Sequence, residues 1–157
     1  MSQGTDWALI TGAGSGIGAA LAQALAARGV GVVLVGRRPT RLDAVRARLG
    51  PHAPALVVPA DIASAEDRAR LLTTVSDRLT AERGKLRHLV HNAGIGTPSR
   101  DFARTDPAEL ERAFAVNVMA PLALTQTFLP LLRRAAPARV LLVGAGIADR
   151  AQPGTGI

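Results

Sequence analysis

Thr11-Gly12-Ala13-Gly14-Ser15-Gly16-Ile17-Gly18 is the stretch of this sequence that decides the fold. It follows a short apolar run, 7–11, and leads into residues 17–28, whose apolar side chains recur at helical spacing. Glycines at such a junction permit a tight turn and let the backbone approach an anion closely. The free N–H groups and the dipole at the helix start attract that anion. The pattern therefore predicts a loop that binds the pyrophosphate of a nucleotide.

Six residues of this loop are expected to contact the nucleotide: Gly12, Gly14, Ser15, Gly16, Ile17 and Gly18. The spacing Gly14-x-Gly16-x-x-Ala19 satisfies the general dinucleotide fingerprint. The glycines also resemble the loop of S-adenosylmethionine methyltransferases, but Ile10 stands where those enzymes usually have an acid. A P-loop NTPase is excluded because no lysine follows the glycines. A glycine-rich turn that holds no ligand remains the structural alternative.

The rest of the chain alternates short β-rich runs with longer helical ones. Five strands are predicted, over 7–11, 31–36, 55–59, 86–91 and 139–143. The second strand is apolar on both faces, which is typical of parallel strands covered by helices on both sides. We therefore expect one α/β domain over residues 1–157, a Rossmann-type doubly wound parallel sheet with strand order 3-2-1-4-5.

Polar residues mark where several of the helices begin. Thr40 with Asp43, and Ser64 with Asp67, have the spacing of capping boxes. These pairs predict helices over 42–49 and 64–82.

A longer helical region is predicted after Asp106, which has the position of an N-cap before Pro107. It extends to residue 134, with an interruption expected near Pro121. No apolar run is long enough to span a bilayer, so we expect no membrane association.

The residues after the second strand predict which cofactor the loop holds. An NAD site usually has an acid there, which holds the ribose 2′-hydroxyl. Here Gly36 is followed by Arg37 and Arg38. Paired guanidiniums attract a 2′-phosphate and can bind it in forked geometry, so we expect NADP(H), and NAD(H) less readily. Two solvated arginines before a helix are the alternative interpretation.

Four motifs in order resemble those of the short-chain dehydrogenases/reductases. The first is Thr-Gly-x-x-x-Gly-Ile-Gly at residues 11–18. Asp61-Ile62 looks like the family's adenine-contacting pair, and Asn92-Ala93-Gly94 like its Asn-Ala-Gly motif. Asn117 looks like the family's catalytic helix asparagine. Taken singly, Asp61 and Asn92 could be turn residues and Asn117 a structural bridge; the order of the four motifs favours the functional interpretation.

The resemblance implies hydride transfer between NADPH and a carbonyl or alcohol substrate. The family uses Ser, Tyr and Lys beside the helix asparagine, but this chain contains no tyrosine. Ala145 falls at the serine position, and family spacing places the tyrosine directly after Ile157. We therefore expect an N-terminal portion that is inactive as given, with a non-catalytic NADP-binding protein as the alternative. The loop from Gly144 resembles that of the sepiapterin and benzil reductase branch.

Composition narrows the other classes of function. The sequence has no cysteine, which excludes disulfides and thiolate metal sites, and no metal site is expected. The net charge is +7, yet the arginines are scattered and aromatic residues make up only 3% of the chain, so we expect no nucleic-acid partner. We expect a soluble, cytoplasmic, bacterial protein that forms homo-oligomers at full length.

Overall fold

Five parallel strands form one sheet in the computed structural model, which describes residues 4–96 and 102–144. The strands are β1 (Asp6–Thr11), β2 (Gly31–Gly36), β3 (Ala55–Pro59), β4 (Lys85–His91) and β5 (Arg139–Leu142). Their order is β3-β2-β1-β4-β5. The predicted α/β class and strand order are confirmed.

The helices follow the strands in alternation. They are α1 (Gly16–Ala26), α2 (Pro39–Arg46), α3 (Ala65–Ala81), α4 (Pro107–Phe114) and α5 (Ala120–Arg134). A 3₁₀ turn, Phe102–Arg104, precedes α4, and a π-helical segment, Ala115–Met119, joins α4 to α5.

The central strands β1 and β2 are covered on both faces of the sheet, which is why their side chains are almost all apolar. Residues 7–10 of β1 and 32–35 of β2 are fully buried. Alternate side chains enter two different cores. Trp7 and Leu9 pack with α3 and α5 residues, whereas Ala8 and Ile10 pack with α1 and α2 residues. This arrangement fixes the carboxyl ends of β1, β2 and β4 side by side.

One predicted capping box is wrong. Helix α2 begins at Pro39 with Arg38 as its N-cap, and no side chain caps it. Proline suits the first helical position because its missing N–H would be unpaired there anyway. The helix therefore starts before Thr40, and the Thr40–Asp43 pair lies inside it.

The other two predicted helix starts are confirmed, with one difference. The Ser64 hydroxyl accepts a hydrogen bond from the Asp67 N–H at 3.2 Å, and the Asp106 carboxylate accepts one from the Ala108 N–H at 2.9 Å. The Asp67 carboxylate, however, accepts from the N–H of Asp61 and not from that of the cap residue.

The long helical stretch Pro107–Arg134 differs from expectation in two respects. Its irregularity is the π-helical segment, which lies before Pro121. The stretch is also long and apolar enough, by length and composition alone, to cross a membrane, contrary to the expectation from sequence. Phe128 and Leu124 on it are fully buried in the core, and core helices of soluble proteins pass the same criteria. The absence of a membrane partner stays a prediction.

Candidate nucleotide-binding site

A cleft of about 270 Å³ opens at the carboxyl ends of β1, β2 and β4. Ligands of doubly wound sheets bind at this edge, where the strand order reverses. Ten of the predicted cofactor residues line it: Gly12, Gly14, Ser15, Arg37, Arg38, Asp61, Ile62, Asn92, Ala93 and Gly94. Gly16, Ile17 and Gly18 do not line it, and the Ile17 side chain is 65% exposed.

Two glycines of the loop allow close packing of backbone. Gly12 has φ +65°, and a Cβ added there would lie 2.9 Å from the Ala93 Cα. A Cβ on Gly18 would lie 2.5 Å from both the Gly12 carbonyl oxygen and the Asn92 Nδ2. Real Cβ atoms essentially never lie so close to other atoms, so α1 can approach the loop this closely only with glycine at position 18.

Gly16 is required for a different reason. It has φ +53°, a left-handed conformation that disfavours any side chain, and nothing lies within 4 Å of an added Cβ. Ser15 before it is the extended N-cap residue of α1, and its exposed hydroxyl caps no amide. The helix therefore begins with N–H groups that no side-chain cap satisfies, beside open space.

Thr11 holds the two sides of the cleft together, a role that the sequence did not reveal. Its fully buried hydroxyl donates to the Val90 carbonyl at 3.3 Å. The same oxygen accepts from the N–H groups of Asn92 and Ala93, both at 3.0 Å. The Asn92 amide donates in return to the carbonyls of Thr11 and Gly12, at 3.1 and 3.3 Å. Asn92 thus braces the glycine loop, and its position in the motif has a structural reason.

Three guanidiniums lie at the mouth of the cleft beyond β2. Arg37, Arg38 and Arg41 all line it and are exposed. No hydrogen bond or ion pair to a described residue occupies any of their side chains. The sequence analysis did not predict a role for Arg41. It lies on the first turn of α2, three and four residues after Arg38 and Arg37, and this spacing could have indicated it. Among the described residues that line the cleft, Asp61 is the sole acidic one.

Asn117 lies in the π-helical segment, and both polar atoms of its side chain form hydrogen bonds with one residue, Ile95. Its Oδ1 accepts from the Ile95 N–H at 2.9 Å, and its Nδ2 donates to the Ile95 carbonyl at 2.8 Å. The side chain therefore ties the loop after β4 to the helix, as in the bridging interpretation. Its predicted catalytic role is not tested by this contact, and Ala145 lies outside the described residues.

His91, at the end of β4, faces away from the cleft and packs against α5. It is 4% exposed, its Nε2 lies 2.8 Å from the Thr125 hydroxyl, and its Nδ1 is buried with no described partner. Burial lowers the pKa of this imidazole, because the charged form would lose its hydration. His91 is thus a core residue held neutral and not a proton donor in the cleft.

A pH dependence of stability follows from His91. The unfolded chain takes up its proton near the ordinary pKa of 6.5, whereas the folded chain resists protonation. Stability is therefore full above that pKa and falls as the pH drops below it. We expect the His91→Gln variant, which keeps a nitrogen near Thr125, to lose less stability between about pH 7.5 and about pH 5.5 than the parent. Burial also lowers the pKa of the less buried His88, so His88→Gln is expected to change the pH dependence in the same direction but less. Equal losses in the parent and the His91→Gln variant, measured by denaturant unfolding, would contradict this assignment.

Nearly the whole chain matches one known protein family. A family model described as short chain dehydrogenase matches residues 6–157. The chain belongs to the short-chain dehydrogenase family. This membership sets aside the methyltransferase alternative. The branch suggested by the residues from Gly144 onward stays a prediction.

Relatives of this chain are longer than it is, and the solved ones share its fold. An oxidoreductase of Sarocladium schorii, asL5, is 32% identical over 93% of this chain and 56% of its own length. A metagenomic short-chain oxidoreductase in complex with NADP has a TM-score of 0.84 at 29% identity, over 99% of this chain and 69% of that one. The 3-ketoacyl-(acyl-carrier-protein) reductase of Brucella melitensis, complexed with NADH, has a TM-score of 0.84 at 32% identity, over 98% and 62%. The chain spans about half the length of the curated relatives it matches.

Proposed function

We propose that this chain forms the NADP(H)-binding part of an oxidoreductase that transfers hydride between the nicotinamide and a carbonyl or alcohol. The observation that carries the cofactor choice is the set of three guanidiniums beyond the end of β2, which pair with none of the described residues: Arg37, Arg38 and Arg41. An arginine fork binds a phosphate in two-point geometry, and an acid in its place would repel one.

The residues present fit a dinucleotide at each part of the cleft. The open space over Gly16 and the uncapped start of α1 suit the pyrophosphate. Asp61 and the buried Ile62 suit the adenine side, and the three guanidiniums suit a ribose 2′-phosphate. Solved relatives include complexes with NADP and with NADH, which supports a nicotinamide cofactor. The proposed preference between the two rests on these arginines.

The hydride transfer itself is proposed on family membership. When bound, the cofactor would supply the hydride, and the residues described here would bind and orient it. The proton donor implied by the family is a tyrosine, and these 157 residues contain none. The proposal for this chain is therefore cofactor binding, and carbonyl reduction is proposed for the enzyme as a whole.

The preference for NADPH over NADH tests the proposal. We expect the chain to bind NADPH at least about tenfold more tightly, since a phosphate–guanidinium contact adds charge-assisted hydrogen bonds. Replacing Arg37 with Asp is expected to remove the preference, because a carboxylate repels the 2′-phosphate and can accept from a 2′-hydroxyl. Titration calorimetry with both cofactors measures the ratio.

The control is Arg48→Asp, which makes the same charge change at an exposed arginine outside the cleft. That variant is expected to keep most of the preference, because solvent and salt screen distant charges. Equal affinities of the parent for NADPH and NADH would refute the proposed cofactor choice.

A further inference from the structure

The loop that follows β3 is held from behind by the first turns of α3. The N–H of Asp61 donates to the Asp67 Oδ2 at 2.7 Å. The Arg68 guanidinium donates from one nitrogen to the carbonyls of Ile62 and Ala63, at 2.8 and 2.9 Å. A single turn of helix thus binds three consecutive residues of this loop.

The loop is further fixed by contacts within itself and within α3. The Asp61 Oδ1 accepts from the Ala63 N–H at 3.0 Å, which closes a tight turn. Arg70 pairs with the second oxygen of Asp67, Oδ1, at 2.8 Å and so orients the carboxylate. The hydrogen bond from Asp61 and the charge of Arg70 lower the pKa of Asp67 against a partial opposing effect of burial.

The loop lines the cleft, and the α3 side chains that hold the loop lie behind it. Asp61 and Ile62 line the cleft, whereas Asp67 and Arg68 do not. Neither Asp67 nor Arg68 therefore contacts a ligand in the cleft, and the loop is the structural route by which either can act on one. A loop that is already ordered lets the ligand avoid the cost of ordering it, which raises affinity without a new contact.

We propose that Asp67 and Arg68 are positioning residues that preorganise the Asp61–Ile62 loop for the adenosine half of the cofactor. The proposal rests on the NADP(H)-binding function proposed above. It assigns part of the affinity to two side chains that never touch the ligand.

The test measures the affinity of 2′,5′-ADP, which carries only the adenosine half, and of NADPH for four variants of the chain. We expect Asp67→Ala to weaken both ligands by about tenfold, the scale of one charge-assisted hydrogen bond. Asp67→Asn keeps an acceptor for the Asp61 N–H and is expected to recover most of that loss. Arg68→Met removes the contacts to the two carbonyls and is expected to weaken both ligands similarly. Asp77→Ala, an exposed position on the same helix with no contact to the loop, is the control.

The outcomes separate this inference from the function on which it rests. If the parent binds neither ligand, the proposed NADP(H) function fails. If the parent binds both but Asp67→Ala and Arg68→Met bind as the parent does, the positioning role alone is overturned. A loss in Asp67→Ala that Asp67→Asn does not recover overturns it too, as does an equal loss in Asp77→Ala. Melting midpoints without ligand are recorded for each variant. A variant that is unfolded is set aside, and the decision then rests on the other replaced residue.

Discussion

Replacing Gly18 with valine is expected to abolish binding of NADPH, with a loss of at least about 100-fold in affinity. The first carbon of any side chain at this position would fall 2.5 Å from the Gly12 carbonyl oxygen. Helix α1 must therefore move away from the loop, and the N–H groups at its start no longer point toward the pyrophosphate. Overpacking of this kind costs about 3 kcal/mol of folding free energy. Calorimetric titration and denaturant unfolding measure the two effects.

Gly16→Ala is the matched variant that separates packing from conformation. An alanine Cβ at Gly16 meets nothing within 4 Å, so only the left-handed backbone is penalised, at about 1 kcal/mol. Gly18→Val is thus expected to be clearly the less stable of the two. Equal stability of both variants would show that α1 does not pack on the loop as described.

Replacing Thr11 with valine is expected to cost about 3 kcal/mol and to weaken NADPH by about tenfold. The change keeps the shape of the side chain but removes the oxygen that accepts from the Asn92 and Ala93 N–H groups. Two amides beside the cleft then lose their acceptor, and the Val90 carbonyl loses its donor. An unsatisfied polar group of this kind costs about 1–3 kcal/mol.

The control for Thr11 is Thr73→Val on the exposed face of α3. Its hydroxyl donates only to the Ala69 carbonyl one turn earlier, so the same chemical change is expected to alter stability by less than about 0.5 kcal/mol. Comparable effects at the two positions would mean that the Thr11 hydroxyl does not hold the cleft together.

The sheet could be predicted because its signals are local. Each strand is a short apolar run, and the buried faces of β1 and β2 require cover on both sides. The glycine loop could be predicted for the same reason, since Gly12 and Gly16 need conformations that other residues avoid. The predicted start of α2 is wrong by three residues, because Pro39 takes the first helical position and the Thr40–Asp43 pair lies inside the helix.

The bracing of the site depends on contacts between distant parts of the chain. The Thr11 hydroxyl meets residues 79 to 82 positions away, and Asn117 meets Ile95 at 22 positions. No local pattern carries such pairings. Asp67 shows the same limit, since its spacing from Ser64 predicted a capping box while its carboxylate binds the loop before the helix.

The most direct test of the account is to map NADPH onto the amides of the chain by nuclear magnetic resonance. Titration of the ¹⁵N-labelled chain is expected to shift the amide signals of Gly12, Gly14, Ser15 and Gly16, which form the proposed pyrophosphate site. Gly29 and Gly50 also have positive φ but lie outside the cleft, and their signals are expected to stay in place. Saturating NADPH that shifts Gly29 and Gly50 but leaves the four loop amides unchanged would contradict the account.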